Sequence, residues 1–356
     1  MTIKSALFVP SVAALGIAMS PMAAAQSSVT LYGVLDVNIE SHNNTPGGTV
    51  TGMRSSGQSG SRWGLRGVED LGNGLKAVFT LESGFGVRNG QSDGRLFQRT
   101  SMVGLTGNWG ALTFGRQYTS AFDLGSAMGP LGFSPLYEPS GRLVFTRTDN
   151  AIKYRGQFGG LEAAAYYAFR DQAEQIAFDE DATGSYGVAA RYTFGGFRVM
   201  GAYDRVEAPG GSLTTGKTDN ILVSADGKFA DFRVTGMYRY RKVRQLNTDD
   251  IKSNLWVLGL GYNFSQAASV QFGYYLEDFK HAPQGYLGTT DDKWHQFALR
   301  GVYNLSKRTN LYAVVGHARK GPLNLGSTAD TGGPGYSLGA GKTKQTGVAV
   351  GIRHMF

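Results

Sequence analysis

The chain carries few means for covalent or metal chemistry. It has no cysteine, which removes thiol catalysis, disulfides and thiolate metal sites together. Its five histidines, His42, His281, His295, His317 and His354, stand in no motif that pairs one with a nucleophile. No dinucleotide fingerprint or metal-ligand spacing is present, and GKTKQTG at 341–347 lacks the glycine spacing of a phosphate loop. No catalytic residue, cofactor or metal is expected. The arginines are more telling. In 232–241, Arg233, Arg239 and Arg241 share one face of a period-two pattern with Thr235 and Met237, and Phe232, Val234, Gly236, Tyr238 and Tyr240 share the other. Such a polar face is costly against lipid and comfortable in water. The chemistry this permits is electrostatic: fixed charge along a water-filled passage with an apolar outer wall.

Strands must position those charges, because the alternation has period two and an amphipathic helix would need period 3.6. Leu161, Ala163, Ala165, Tyr167 and Phe169 oppose Glu162, Ala164, Tyr166, Ala168 and Arg170 in the same manner. Sixteen such segments start near Val29, Arg62, Leu75, Arg99, Ala111, Arg147, Leu161, Tyr186, Phe197, Asn220, Phe232, Asn254, Ser269, Lys293, Thr309 and Gln345. Short connections at 69–74, 106–110, 158–160, 194–196, 226–231, 264–268 and 305–307 alternate with long ones at 41–60, 85–97, 119–146, 171–184, 207–217, 243–253, 280–291 and 319–343. Short turns on one side and long loops on the other are the habit of transmembrane barrels. A mean hydropathy of −0.21 is too polar for a helical membrane protein and suits strands that are apolar on one face only.

The first 25 residues read as an export signal: Lys4, an uncharged apolar run over 6–19, and Ala23-Ala24-Ala25 at the cleavage positions. The domain expectation is therefore a signal peptide at 1–25 and one barrel domain at 26–356. The formal charge is +8, but the basic residues are spread along the chain and not gathered, so no nucleic-acid partner is expected. The last strand, QTGVAVGIRHMF, runs to the C-terminal Phe356. It must pair with the first, since an open sheet edge in lipid leaves backbone groups unsatisfied.

Several segments resemble the general diffusion porins of Gram-negative bacteria, in their neisserial and beta-proteobacterial branch. They are QSSVTLYGVLDVNIE (26–40), GSRWGLRGVEDLGNGLKAVFTLESGF (60–85), RTSMVGLTGNWGALTFGRQY (99–118) and GIRHMF (351–356). The resemblance implies an all-β fold, a 16-stranded antiparallel transmembrane β-barrel with a constriction loop folded into the lumen. It implies a homotrimer in the outer membrane that passes small hydrophilic solutes and ions by passive diffusion. It also implies an arginine ladder on one wall, matched here by Arg62, Arg99 and Arg147. Arg66 and Lys153 point the same way on their strands. The facing acids would be those of 119–146, Asp123 and Glu138. At least three ladder arginines against two loop acids predict a preference for inorganic or organic anions.

Three further expectations follow from parity and position. Arg116 shares parity with Leu112 and Phe114, so the strand must either bulge or leave the bilayer near Gly115 to keep the cation out of lipid. Tyr32, Trp63, Trp109, Tyr154, Tyr192, Phe194, Tyr262, Phe264 and Phe356 should form aromatic girdles at the membrane interfaces. RYRKVR at 239–244 is a candidate contact for outer-membrane lipids and lipopolysaccharide phosphates, with a solvated loop edge as the other reading. A substrate-specific porin and a plugged barrel acting as adhesin or anchor are the alternative readings.

Overall fold

The period-two pattern becomes a wall of antiparallel strands. The structure, a computed structural model, describes residues 28–92, 94–169, 184–207, 214–245, 249–327 and 335–356; the expected signal segment lies outside them. In chain order the strands are β1 (Ser28–Thr45), β2 (Gly48–Ser55), β3 (Arg62–Gly72), β4 (Leu75–Gly84), β5 (Thr100–Gly107), β6 (Gly110–Tyr118), β7 (Arg147–Phe158), β8 (Leu161–Ala168) and β9 (Ser185–Phe194). They continue as β10 (Phe197–Glu207), β11 (Thr214–Phe229), β12 (Phe232–Gln245), β13 (Ile251–Asn263), β14 (Ala268–Lys280), β15 (Lys293–Asn304), β16 (Thr309–Arg319) and β17 (Lys344–Met355).

From β3 onward each strand pairs with its successor, and β17 returns to β1 in the register Val34↔Met355 to His42↔Gly347. Phe356 and Gly33 exchange backbone hydrogen bonds of 3.1 and 3.2 Å at the seam. The other edge of β1 carries β3 along Ser28–Val34 and β2 along Val37–Thr45. β2 and β3 therefore share one position in the ring, and the seventeen segments form a closed barrel of sixteen staves.

That second stave corrects the sequence reading of a long connection at 41–60. β1 runs on to Thr45 and turns directly into β2, and the irregular stretch is only 56–61. Asp36 explains the break. It is fully buried on the inward parity of β1. Its carboxylate accepts the backbone N–H groups of Gly57 at 3.0 Å and Ser59 at 2.7 Å and the hydroxyl of Tyr312 at 2.6 Å. The ladder yields there so that the chain can wrap an inward charge.

Outward positions are apolar and exposed, as at Leu31, Val103, Val188, Val223, Leu258 and Val350. Inward positions on β9 to β17 are partly apolar as well: Met200, Leu222, Met237, Leu255, Tyr275 and Trp294 are buried although they face the lumen. The segment 119–146 covers most of them, while Trp294 lies against Gly321 and donates to the Pro322 carbonyl. It contains α1 (Ser120–Gly125) and a short turn α2 (Ser140–Leu143). Ala121, Leu124, Met128, Leu131, Tyr137 and Leu143 form one core cluster with those wall residues. This packing puts the loop against the β9–β17 half of the wall.

Most of the expected girdle residues lie outside, with Tyr192, Phe194, Phe197 and Phe229 in successive ring contacts of 5.2–5.9 Å near the short turns. Tyr32 is the exception: its hydroxyl donates to Glu82 on the inward side.

Candidate functional site

With the loop held by one half of the barrel, a cavity of about 640 Å³ is left against the other half. Arg62, Arg99 and Arg147 line it, together with Tyr118, Ser59 and Ser61 from the wall and Phe122, Asp123, Phe133 and Glu138 from the loop. The three arginines stand at the long-connection ends of β3, β5 and β7, one on every second strand. Inward parity in an antiparallel sheet thus stacks them side by side around the circumference.

Two residues between the arginines organise them, and neither was singled out from the sequence. Glu82 of β4 accepts Arg99 Nε at 2.7 Å, lies 3.4 Å from Arg62 Nε and accepts the Tyr32 hydroxyl at 3.0 Å. Tyr118 of β6 accepts Arg99 Nη2 at 3.2 Å and Arg147 Nη2 at 2.7 Å. Among the described residues, Arg147 has no carboxylate partner; its guanidinium carbon lies 4.3 Å from the Tyr118 ring centre. Glu82 was legible as an inward acid on the strand between Arg62 and Arg99. Tyr118 was not, because it shares the lipid-facing parity of Leu112 and Phe114.

The bulge expected near Gly115 resolves that parity. The β6–β7 register shifts between Gly115 and Gln117, and Gly115 sits at φ +111°. Arg116 keeps the outward parity opposite Ser101 and is met there by Asp149 at 2.5 Å and by the carbonyl of Gln98. Tyr118 is turned into the cavity.

The remaining candidate residues separate. Lys153 is buried and holds Asp123 at 2.5 Å, tying α1 to β7. Glu138 is only 1 % exposed and accepts the backbone N–H groups of Leu131 and Ser134 at 3.3 and 2.7 Å. It braces the loop's own turn and does not offer a free charge to the arginines. Burial raises its carboxyl above the ordinary range, against the opposing pull of Arg300 and those N–H groups. Arg66 lies outside the cavity lining; it is exposed, over the Tyr32 ring at 5.3 Å.

On the opposite wall a second set of arginines holds the loop. Arg191 donates to the carbonyl of Leu124, Arg198 and Arg233 to Ala127, Arg241 to Gly141 and Arg300 to Leu131. Arg239 pairs with the buried Glu277, which also receives Arg142 of α2. This corrects the reading of RYRKVR as a lipid contact. Arg239 and Arg241 are buried and inward, Lys242 reaches Asp250 at 2.8 Å, and Arg244 lies 3.5 Å from Asp219.

A closed barrel whose loop and wall enclose an arginine-lined cavity can be set against known proteins. The model of the Gram-negative porin family matches residues 11–321. The chain belongs to that family. This porin is 36 % identical to outer membrane porin protein 32 of Delftia acidovorans, over 96 % of this chain and 97 % of the relative. It is 28 % identical to the major outer membrane protein P.IB of Neisseria meningitidis serogroup B, over 97 % and 99 %. Among solved structures, the anion-selective porin from Comamonas acidovorans superposes with a TM-score of 0.74 at 29 % identity, covering 93 % of this porin and all of that chain. These relatives are channel proteins and not enzymes.

Proposed function

We propose that this porin is a passive diffusion channel of the Gram-negative outer membrane that favours anions, with Arg62, Arg99 and Arg147 as the basic wall of its constriction and the loop 119–146 as the facing wall. The observation that carries the reading is how the nearby acids are engaged. Asp123 is held by Lys153, and Glu138 is buried within the loop. Glu82 lies between Arg62 and Arg99, one carboxylate beside two guanidinium groups. Arg147 has no carboxylate partner among the described residues. In a narrow aqueous passage with low-dielectric walls, such a surplus raises the local concentration of anions and lowers that of cations. The anion-selective porin from Comamonas acidovorans supports the same sign.

Small hydrophilic solutes and inorganic or organic anions are the proposed cargo, and a homotrimer is the proposed assembly. The test is the reversal potential of purified protein in a planar bilayer under a salt gradient. An anion-favouring potential that falls when Arg62, Arg99 and Arg147 are each replaced by glutamine supports the reading. A cation-favouring potential overturns the preference, and absence of conductance from folded protein overturns the channel.

A further inference from the structure

The wall that faces the arginines is partly aromatic. Phe122 of α1 and Phe133 beyond it both line the cavity. Phe122 stacks on Tyr118, with ring centres 4.5 Å apart and planes 10° from parallel. Phe133 follows at 5.8 Å from Phe122, tilted by 60°. The Tyr118 hydroxyl accepts from both Arg99 and Arg147. Its ring therefore joins two rungs of the ladder to the loop's own aromatic pair. Guanidinium groups and ring carbon line one water-filled space.

A filter for small hydrated anions needs no such surface. The face of an aromatic ring carries partial negative charge and attracts no bare anion. The loop nevertheless accepts backbone strain to keep one of these rings in place. Phe133 stands at φ +55°, in the left-handed region that bulky side chains rarely adopt. Gly129 leaves room for it, since a Cβ added there would collide with the Phe133 ring. Phe133 is buried and Phe122 only half-buried. Phe122 is thus the ring open to a solute, and Phe133 supports it.

A solute that uses both features carries a carboxylate and a planar ring on one small frame. The guanidinium fork donates two parallel N–H bonds to a planar acid. Arg147, whose contacts are the Tyr118 hydroxyl and ring, is the rung left for that acid. The ring of the solute then lies against Phe122, offset-stacked or edge-on, and a neighbouring guanidinium can cover its face. Space allows this. Roughly 150 Å³ suffices for a benzene ring, and the cavity holds about 640 Å³.

We propose that the constriction selects, among organic anions, for aromatic carboxylates, with Phe122 and Phe133 as the specificity-determining residues and the arginine ladder as the carboxylate site. The proposal rests on the anion-favouring reading of this same cavity and adds a substrate class to it. The experiment measures the block of chloride current through the purified porin in a planar bilayer by benzoate and by cyclohexanecarboxylate at neutral pH. The two acids share charge and ring size, and the saturated one is the more apolar, so plain hydrophobic partition favours it. Aromatic contact reverses that order. Benzoate should reach half-block at a concentration about two- to tenfold lower, the range of one ring pair. In Phe122→Leu the ratio of the two half-blocking concentrations should fall to about one, because the aromatic contact is gone and apolar bulk remains. The ratio compares two acids in one pore, so a change in pore width moves both. Should that variant fail to fold, Phe133→Leu is expected to lose part of the ratio. Arg147→Gln should weaken both acids together and keep their ratio. Equal block by the two acids in the native pore, or a native ratio retained in the leucine variants, overturns the proposal; in a chloride-favouring pore either result leaves the anion reading standing. A pore that favours potassium and is blocked by neither acid overturns both.

Discussion

Glu82 holds Arg99 at 2.7 Å while standing 3.4 Å from Arg62, so one carboxylate on β4 sits between two rungs of the arginine ladder. Glu82→Gln keeps a polar group of the same shape and removes the charge. The freed guanidinium groups should shift the reversal potential in a potassium chloride gradient further toward the chloride limit. Removing a partner from a partly buried pair also costs stability, on the order of 3 kcal/mol, read as a lower unfolding temperature in detergent. A potential that moves toward the cation limit would show that Glu82 does not offset the ladder.

Lys153 and Asp123 make the second electrostatic contact of the cavity, 2.5 Å long and largely buried. Lys153→Gln leaves the Asp123 charge in the cavity and releases α1 from β7. Anion preference should fall, and open-channel current noise should rise as α1 moves against the wall. The double variant with Asp123→Asn should recover much of the selectivity but not the quiet current. The uncoupled contact is of the charge-assisted kind, about 1.5–3 kcal/mol.

Much of this architecture was legible because the barrel repeats one simple rule. Strand starts, the alternation of short and long connections and closure at Phe356 all follow from period two and strand count, whereas the three ladder arginines were implied by the family resemblance. The misses share another cause, which is departure from period two. Tyr118 reaches the cavity only where the β6–β7 register slips, two steps of β6 from Gly115 to Gln117 facing three of β7 from Ala151 to Thr148. The break at 56–61 exists because Asp36 must be wrapped, and no local pattern announces a partner more than twenty residues away. Arg239 and Arg241 read as a loop edge, yet they are buried because a loop a hundred residues earlier lies against them. The inward Met200, Leu222, Met237 and Leu255 carried a signal of that packing. Apolar side chains on the water side of a barrel need a cover, and 119–146 is the segment that provides it.

Gly115 itself is a direct test of the bulge. At φ +111°, an added Cβ would come within 2.3 Å of the backbone oxygen of Ser101. Gly115→Val should therefore both strain the backbone and press on β5, costing at least about 1–2 kcal/mol per strained residue. Because the bulge re-aims Tyr118, conductance and anion preference should change together with stability. A variant with native thermal stability and native selectivity would show that neither the bulge nor Tyr118 sets the cavity.

The loop's buried carboxyl predicts a pH dependence of definite sign. Burial raises Glu138 above its ordinary 4.5 in the folded loop, so the packed loop binds this proton more tightly than a free chain does. The stabilisation is complete below the ordinary carboxyl value and is lost as pH rises through the raised one. The packed state of 119–146 is thus expected to be most protected from added protease at mildly acidic pH and to loosen as pH increases. Glu138→Gln mimics the protonated form, still accepting a backbone N–H, and should hold the acidic level of protection across the range. If native protein and the glutamine variant lose protection in parallel, the titrating group that governs the loop is not Glu138.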